Sequence, residues 1–184
     1  MGQDELISRM RASFEADLDN RAKRALNIQL QNFIPSHWFA AAASECASMY
    51  VSGHFYGCIS IAQAYVEALS KFLCEYHKIK ATKDIDLRWQ RLHKTNHVSL
   101  TVLEAAKAIF NDRNDYHHLN KEIEREYAEL QRRAKDCVNY LYSIESEIFA
   151  YSFSDSEPGK IMLAKPEYWP SPSPEQVEIH LRHL

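Results

Sequence analysis

The chain predicts an all-α, up-and-down helical bundle, and three observations carry that prediction. Glycine and proline number only four and six in 184 residues, with four of the prolines after residue 165. A body this poor in breakers favours helices over turn-rich sheets. Apolar residues recur at three- and four-residue spacing through most of the stretch to Tyr151, the repeat of a helix face. Hydrophobic residues make up 46% and charged residues 26%, ordinary for a soluble globular protein of one well-buried domain. Four to six helices are expected over residues 1–152, followed by an extended, Pro- and Ser-containing arm with a short terminal helix over 153–184.

The first helix is predicted from about Asp4 to Asn32, with Leu6, Met10, Phe14, Leu18, Ala22, Leu26 and Leu30 on its inner face. Arg9, Asp17, Arg21 and Arg24 fleck the rest, the usual dress of a solvated face. Ile34-Pro35-Ser36 ends it and opens a second helix to Val51, rich in alanine. Ser52-Gly53 gives a turn, with Gly53 free to take a left-handed stop. The third helix, about His54 to His77, has the widest apolar stripe and should centre the core. Its narrow polar line (Ser60, Gln63, Glu67, Ser70, Lys71) reads either as a solvated edge or as the wall of a functional cleft.

Ile85, Leu87, Trp89 and Leu92 fit a short helix, and Lys94-Thr95-Asn96 a turn. The next helix should begin at His97 or Val98, or a few residues later by the capping-box spacing of Thr101 and Glu104, and end near Asn111. A long helix follows from near Lys121, its inner face marked by Ile123, Tyr127, Leu130, Ala134, Cys137 or Val138, Leu141, Ile144 and Ile148. Arg132 and Arg133 fall on its outer face, with Glu129 and Arg133 as an i,i+4 pair. Composition shifts at Ser152, where the arm begins. Ile161 to Ala164 suits a strand or an extended segment. Ser173-Pro174-Glu175-Gln176 reads as a helix start, with Val177, Leu181 and Leu184 on one face.

Charge and cysteine usage narrow the function classes. A net charge of −3 carries no global basic field, so any nucleic-acid contact must be local. The four cysteines make no C-x-x-C pair or zinc spacing and read as buried free thiols of a reducing cytoplasm. The N-terminal stretch is not a secretion signal, and no apolar run approaches the ~20 residues of a membrane span. No metal or cofactor is expected, and the protein should be cytoplasmic.

The densest chemistry is Arg113-Asn114-Asp115-Tyr116-His117-His118, between two apolar-periodic helices. Arginine offers a permanently charged fork suited to phosphate. Histidine exchanges a proton near neutral pH, and asparagine can orient an imidazole or bind a phosphate oxygen. Together they suit RNA cleavage by internal attack, with histidine moving the proton and arginine stabilising charge on the phosphate. The plain alternative pairs Arg113 with Asp112, Asp115 or Glu122 around a helix–helix turn. The other histidines are scattered and read as surface or capping residues.

The Arg113-Asn114-x-x-x-His118 pattern, with the helices around it, resembles the HEPN family, whose motif is Arg-x4–6-His, most often with a polar residue directly after the Arg. The stretch from Gly53 through Val66-Glu67-Ala68-Leu69 is similar to the family's helix-opening pattern, one residue shorter than its usual ending. The resemblance covers about Ser36 to Tyr151. It implies an all-α bundle that forms a homodimer, with the two motif copies facing each other as one composite, metal-independent ribonuclease site. Such proteins often act as toxins or as phage-defence effectors. By this resemblance Arg113 holds the phosphate, Asn114 positions substrate or His118, and His118 is the acid/base. His117 is a possible substitute for His118, and Glu67 and Tyr116 are possible supporting residues. RNA is the implied substrate, with an antitoxin or regulatory protein as a further partner. Asn120 stands where an antitoxin-paired subgroup carries Tyr, which puts silencing by tyrosine modification in doubt. The alternatives are a non-catalytic HEPN-like binding or regulatory module and, less favoured, a nucleotide binder. An RNA-binding patch would draw on Arg113 with Arg88, Arg91 and Lys94.

Overall fold

The computed structural model describes residues 2–30, 33–34, 37–80, 82–111, 116, 127–153, 161–163 and 180–181. Among them the chain forms seven helices: α1 (Gln3–Ala16), α2 (Leu18–Leu26), α3 (His37–Val51), α4 (Phe55–Tyr76), α5 (Ile85–Lys94), α6 (Leu100–Phe110) and α7 (Tyr127–Ile148). Four short strands accompany them: β1 (Phe33–Ile34), β2 (Tyr151–Phe153), β3 (Ile161–Leu163) and β4 (His180–Leu181). The architecture is the expected all-α bundle. No described helix is long and apolar enough to cross a membrane.

Helix α4 is the axis of the bundle. It packs against α3, α5, α6 and α7, and 11 of its 22 residues are buried. Cys58, Ile59, Ala62, Val66, Leu69 and Leu73 are fully inside. They meet Ala43, Cys46 and Ala47 of α3 and Ala134, Cys137, Leu141 and Ile144 of α7 in one core. The alanines of α3 keep its contact face flat, which lets two helices close on each other.

Three of the helix ends share one device. Gly53 ends α3 at φ +82°; its amide donates to the Tyr50 carbonyl at 3.1 Å, and the His54 amide to Met49 at 2.8 Å. This is the six-to-one and five-to-two pairing of a Schellman stop. Lys78 (φ 54°) and Asn96 (φ 59°) make the same stop after α4 and α5. The starts are capped differently. Asp84 accepts from the Leu87 amide at 3.1 Å. Ser99 accepts from the Val102 amide at 3.2 Å, which places the start of α6 later than His97 or Val98. Glu147 of α7 completes that cap: the Ser99 amide and hydroxyl donate to its carboxylate at 3.0 and 2.6 Å. Glu147 thus does from another helix what an N3 glutamate does in a capping box.

The N-terminal segment reverses its expected orientation. The single long helix is two, broken at Asp17, and Asp17, Arg21 and Arg24 do the docking. Arg24 is buried; its Nε donates to the Val51 carbonyl at 2.7 Å and its Nη2 to Asp17 at 2.6 Å. Arg21 donates to the Ser52 hydroxyl at 3.2 Å and stacks over Phe14, 4.7 Å from the ring centre. The Arg24 hydrogen bond holds the Asp17 carboxyl below its ordinary range. Leu6, Met10, Phe14, Leu18 and Leu26, expected inside, are exposed, and only Leu30 of that stripe packs against the core. The orphan carbonyl at the end of α3 attracts a guanidinium, and rotating Arg24 inward carries the apolar stripe outward.

The C-terminal arm pairs with the body as strands. β2 and β3 are antiparallel, Tyr151 opposite Leu163 and Phe153 opposite Ile161, so the expected strand at Ile161 is present and the 152/153 junction lies within β2. β4 pairs antiparallel with β1, Phe33 opposite Leu181 and Ile34 opposite His180. At His180 and Leu181 the chain is therefore strand, not the expected helix. A helix of that length is marginal alone, and pairing with β1 gives this backbone its hydrogen bonds instead. Val177, Leu184 and the Ser173–Gln176 start lie outside the described residues, as does Ile123.

Candidate functional site

The candidate site is the junction of α6 and α7 over the start of α4. Asn111 ends α6 with an extended backbone (φ −56°, ψ 142°), its amide still donating to Lys107 at 2.9 Å. Asn at this place weakens the helix, and α6 ends at Phe110, three residues before Arg113. Arg113, Asn114, Asp115, His117 and His118 lie outside the described residues. Tyr116 is described and is 2% exposed. Its ring lies 6.2 Å from that of Tyr56, tilted by 60°. Tyr116 thus ties the middle of the segment to the first turn of α4, and in the single chain its phenol is not presented to solvent. Tyr56 itself is exposed.

Two side chains that the sequence reading placed elsewhere, Gln63 on a polar line and Arg133 on an outer face, converge on the end of α6. Gln63 of α4, fully buried, donates from Nε2 to the Ile109 carbonyl at 3.3 Å. Arg133 of α7 donates from Nη2 to the carbonyls of Ala108 (2.7 Å), Ile109 (3.4 Å) and Asn111 (3.0 Å). A guanidinium over the last carbonyls of a helix satisfies orphan acceptors and meets the negative end of the helix dipole. Arg133 therefore faces inward, not to the outer face. Spacing carried the signal. Arg133 is three residues after Leu130 and four before Cys137, both buried, and Gln63 stands between Ile59, Ala62 and Val66.

The polar line of α4 is covered in part: Lys71 is exposed and Ser60 and Glu67 are half-buried. Ser70 and Gln63 are buried under α5 and α6. Arg88 of α5, 1% exposed, donates to the Ser70 hydroxyl at 2.9 Å and the Thr82 carbonyl at 2.7 Å. Ser70 in turn donates to the Glu67 carbonyl at 2.8 Å. Glu67 is half-buried, with Arg88 Nη2 and Lys71 Nζ each 3.9 Å from its carboxylate. Arg88 thus belongs to this interior network and is too buried to serve the surface patch expected from the sequence. Arg91 donates to the Lys80 carbonyl at 2.7 Å.

Tyr127, expected on the inner face of α7, is 62% exposed. Its ring packs 5.0 Å from Phe55. Its hydroxyl would come within 3.1 Å of any Cβ placed at Gly53, so Gly53 suits both its positive φ and this neighbour. Among the described residues no group of three or more His, Cys, Asp and Glu side chains is placed to hold a metal ion.

No family model, no curated protein and no solved structure matches the chain.

Proposed function

We propose that the chain is a HEPN-type endoribonuclease, metal-independent and dimeric, cleaving RNA at a composite site built from two copies of Arg113-Asn114-x-x-x-His118. The observation that carries this reading is the framing of the segment. Asn111 before it is held by Arg133, and Tyr116 within it is buried beside Tyr56. A polar Arg/His segment held just before its start and at its middle suits chemistry better than a loose surface loop does.

In the proposed step, His118 accepts the proton of a ribose 2′-hydroxyl as the 2′-oxygen attacks the adjacent phosphorus. The bond from phosphorus to the 5′-oxygen breaks, and that oxygen takes a proton from the imidazolium facing it across the dimer. The products are a 2′,3′-cyclic phosphate and a 5′-hydroxyl, with no net gain or loss of protons. Arg113 stabilises the charge on the non-bridging oxygens, and Asn114 orients His118 or substrate. His117 is the alternative imidazole. A toxin or defence effector of this kind would need a restraining antitoxin or regulatory partner.

A second reading, a non-catalytic HEPN-like binding or regulatory module, draws on the internal engagement of Glu67 and Arg88. Incubation of the pure protein with RNA in EDTA separates the two. The ribonuclease reading expects cleavage by wild type and a loss of about 10²-fold or more in His118→Ala and Arg113→Ala. Equal cleavage by all three would sink it, and so would none by wild type.

A further inference from the structure

We infer that Arg133 and Gln63 are positioning residues that clamp the end of α6 and so set where the Arg113–His118 segment begins. The inference rests on the ribonuclease reading for its catalytic consequence, but its structural content stands apart from it. Two helices that both pack against α6 each send one polar side chain to the same place. Gln63 from α4 and Arg133 from α7 share the Ile109 carbonyl, and Arg133 continues to Ala108 and Asn111. Asn111 stands two residues before Arg113, so in sequence the clamp ends next to the candidate chemistry.

The way these side chains are used favours placement over stability. Gln63 Oε1 and Arg133 Nε are buried with no hydrogen-bond partner among the described residues. A buried polar atom left so is unfavourable, and a leucine at 63 or a methionine at 133 would fill the space without that penalty. What the apolar residues could not do is hold carbonyls in a fixed direction. A helix end bonded to side chains of two other helices is restrained, and active-site groups displaced by about 1 Å lose about 10²-fold in rate. Tyr116 against Tyr56 forms the second hold on the same segment.

The test uses the full-length protein with Arg133→Met, Arg133→Lys and Gln63→Leu. Amide hydrogen exchange is followed in peptides covering residues 105–120 and, as a control, in α3 and α4. RNA cleavage in EDTA is measured for kcat and KM separately. The clamp predicts several-fold faster exchange confined to the end of α6 and the segment after it in Arg133→Met and Gln63→Leu. It predicts kcat lowered by about 10²-fold in Arg133→Met, with KM little changed, and recovery of both signals toward wild type in Arg133→Lys, which keeps a donor. Unchanged exchange at 105–120 would overturn the clamp whether or not the protein cleaves RNA. Faster exchange spread through α3 and α4 would also overturn it, by showing a general structural role. If wild type cleaves and kcat is unmoved in Arg133→Met, the positioning role is wrong. If wild type does not cleave, the ribonuclease reading falls by itself and exchange alone decides the clamp.

Discussion

At the residue scale the informative positions are polar groups found inside. Arg88 and Ser70 are fully buried yet bonded to each other and to backbone, which is the condition under which such groups can be buried at all. The cysteines behave as small apolar residues. Cys46 and Cys58 bring their sulfurs to 3.5 Å across the α3–α4 contact. The Cys46 hydrogen bond and burial raise the Cys58 thiol well above its ordinary range, and burial pushes Cys137 up to about 12. At pH 8 a thiol titrating there is ionised in only about one molecule in ten thousand. Thiol titration with an aromatic disulfide at pH 8 should therefore detect none of the four cysteines in native protein over minutes, and all four in denaturant. Rapid labelling of native Cys58 or Cys137 would contradict the packing described for α3, α4 and α7. Of this scale the sequence showed the thiols but not the polar contacts. The reading put Arg133 on the outer face and Gln63 on a polar line, and which carbonyl each meets depends on the approach of a third helix.

At the element scale most boundaries were legible. The apolar stripe of α4, the Gly53 stop and the Lys94–Asn96 turn were readable from local chemistry, because a Schellman stop uses residues adjacent in sequence. The orientation of α1 and α2 was not. Leu6, Met10, Phe14 and Leu18 repeat like a buried face, but the strongest docking contact available to this segment is Arg24 on the end of α3. The pattern states that a helix has an apolar side; the site on which it docks decides whether that side is covered. The stop at Lys78 carries a prediction. This exposed lysine sits at φ 54°, where a side chain costs about 1 kcal/mol and glycine costs nothing of that kind. Lys78→Gly should raise stability to urea by about 0.5–1 kcal/mol, the gain reduced by the greater freedom of glycine in the unfolded chain. A clear loss would mean that the lysine side chain contributes more than its backbone costs.

At the scale of the whole molecule, the described residues on either side of the polar segment are the end of α6, held by α4 and α7, and Tyr116, packed at the start of α4. The sequence located that segment by contrast: six polar or titratable residues between two apolar helices. It did not show how the junction is held, since Gln63, Arg133 and Tyr56 are each distant in sequence from the residue they meet (Ile109, Ala108 and Tyr116). Nor did it show that the C-terminal arm returns to pair with Phe33 and Ile34, because strand pairing over such a separation leaves no periodic trace. The central claim concerns internal attack by a 2′-hydroxyl, and end-group analysis of the cleaved RNA tests it most directly. After reaction in EDTA the upstream fragments should end in 2′,3′-cyclic phosphate, the downstream fragments should begin with 5′-hydroxyl, and a single 2′-deoxy residue at the cleavage position should block the cut. Fragments ending in 3′-hydroxyl with 5′-phosphate partners, or cleavage that ignores the missing 2′-hydroxyl, would contradict the account.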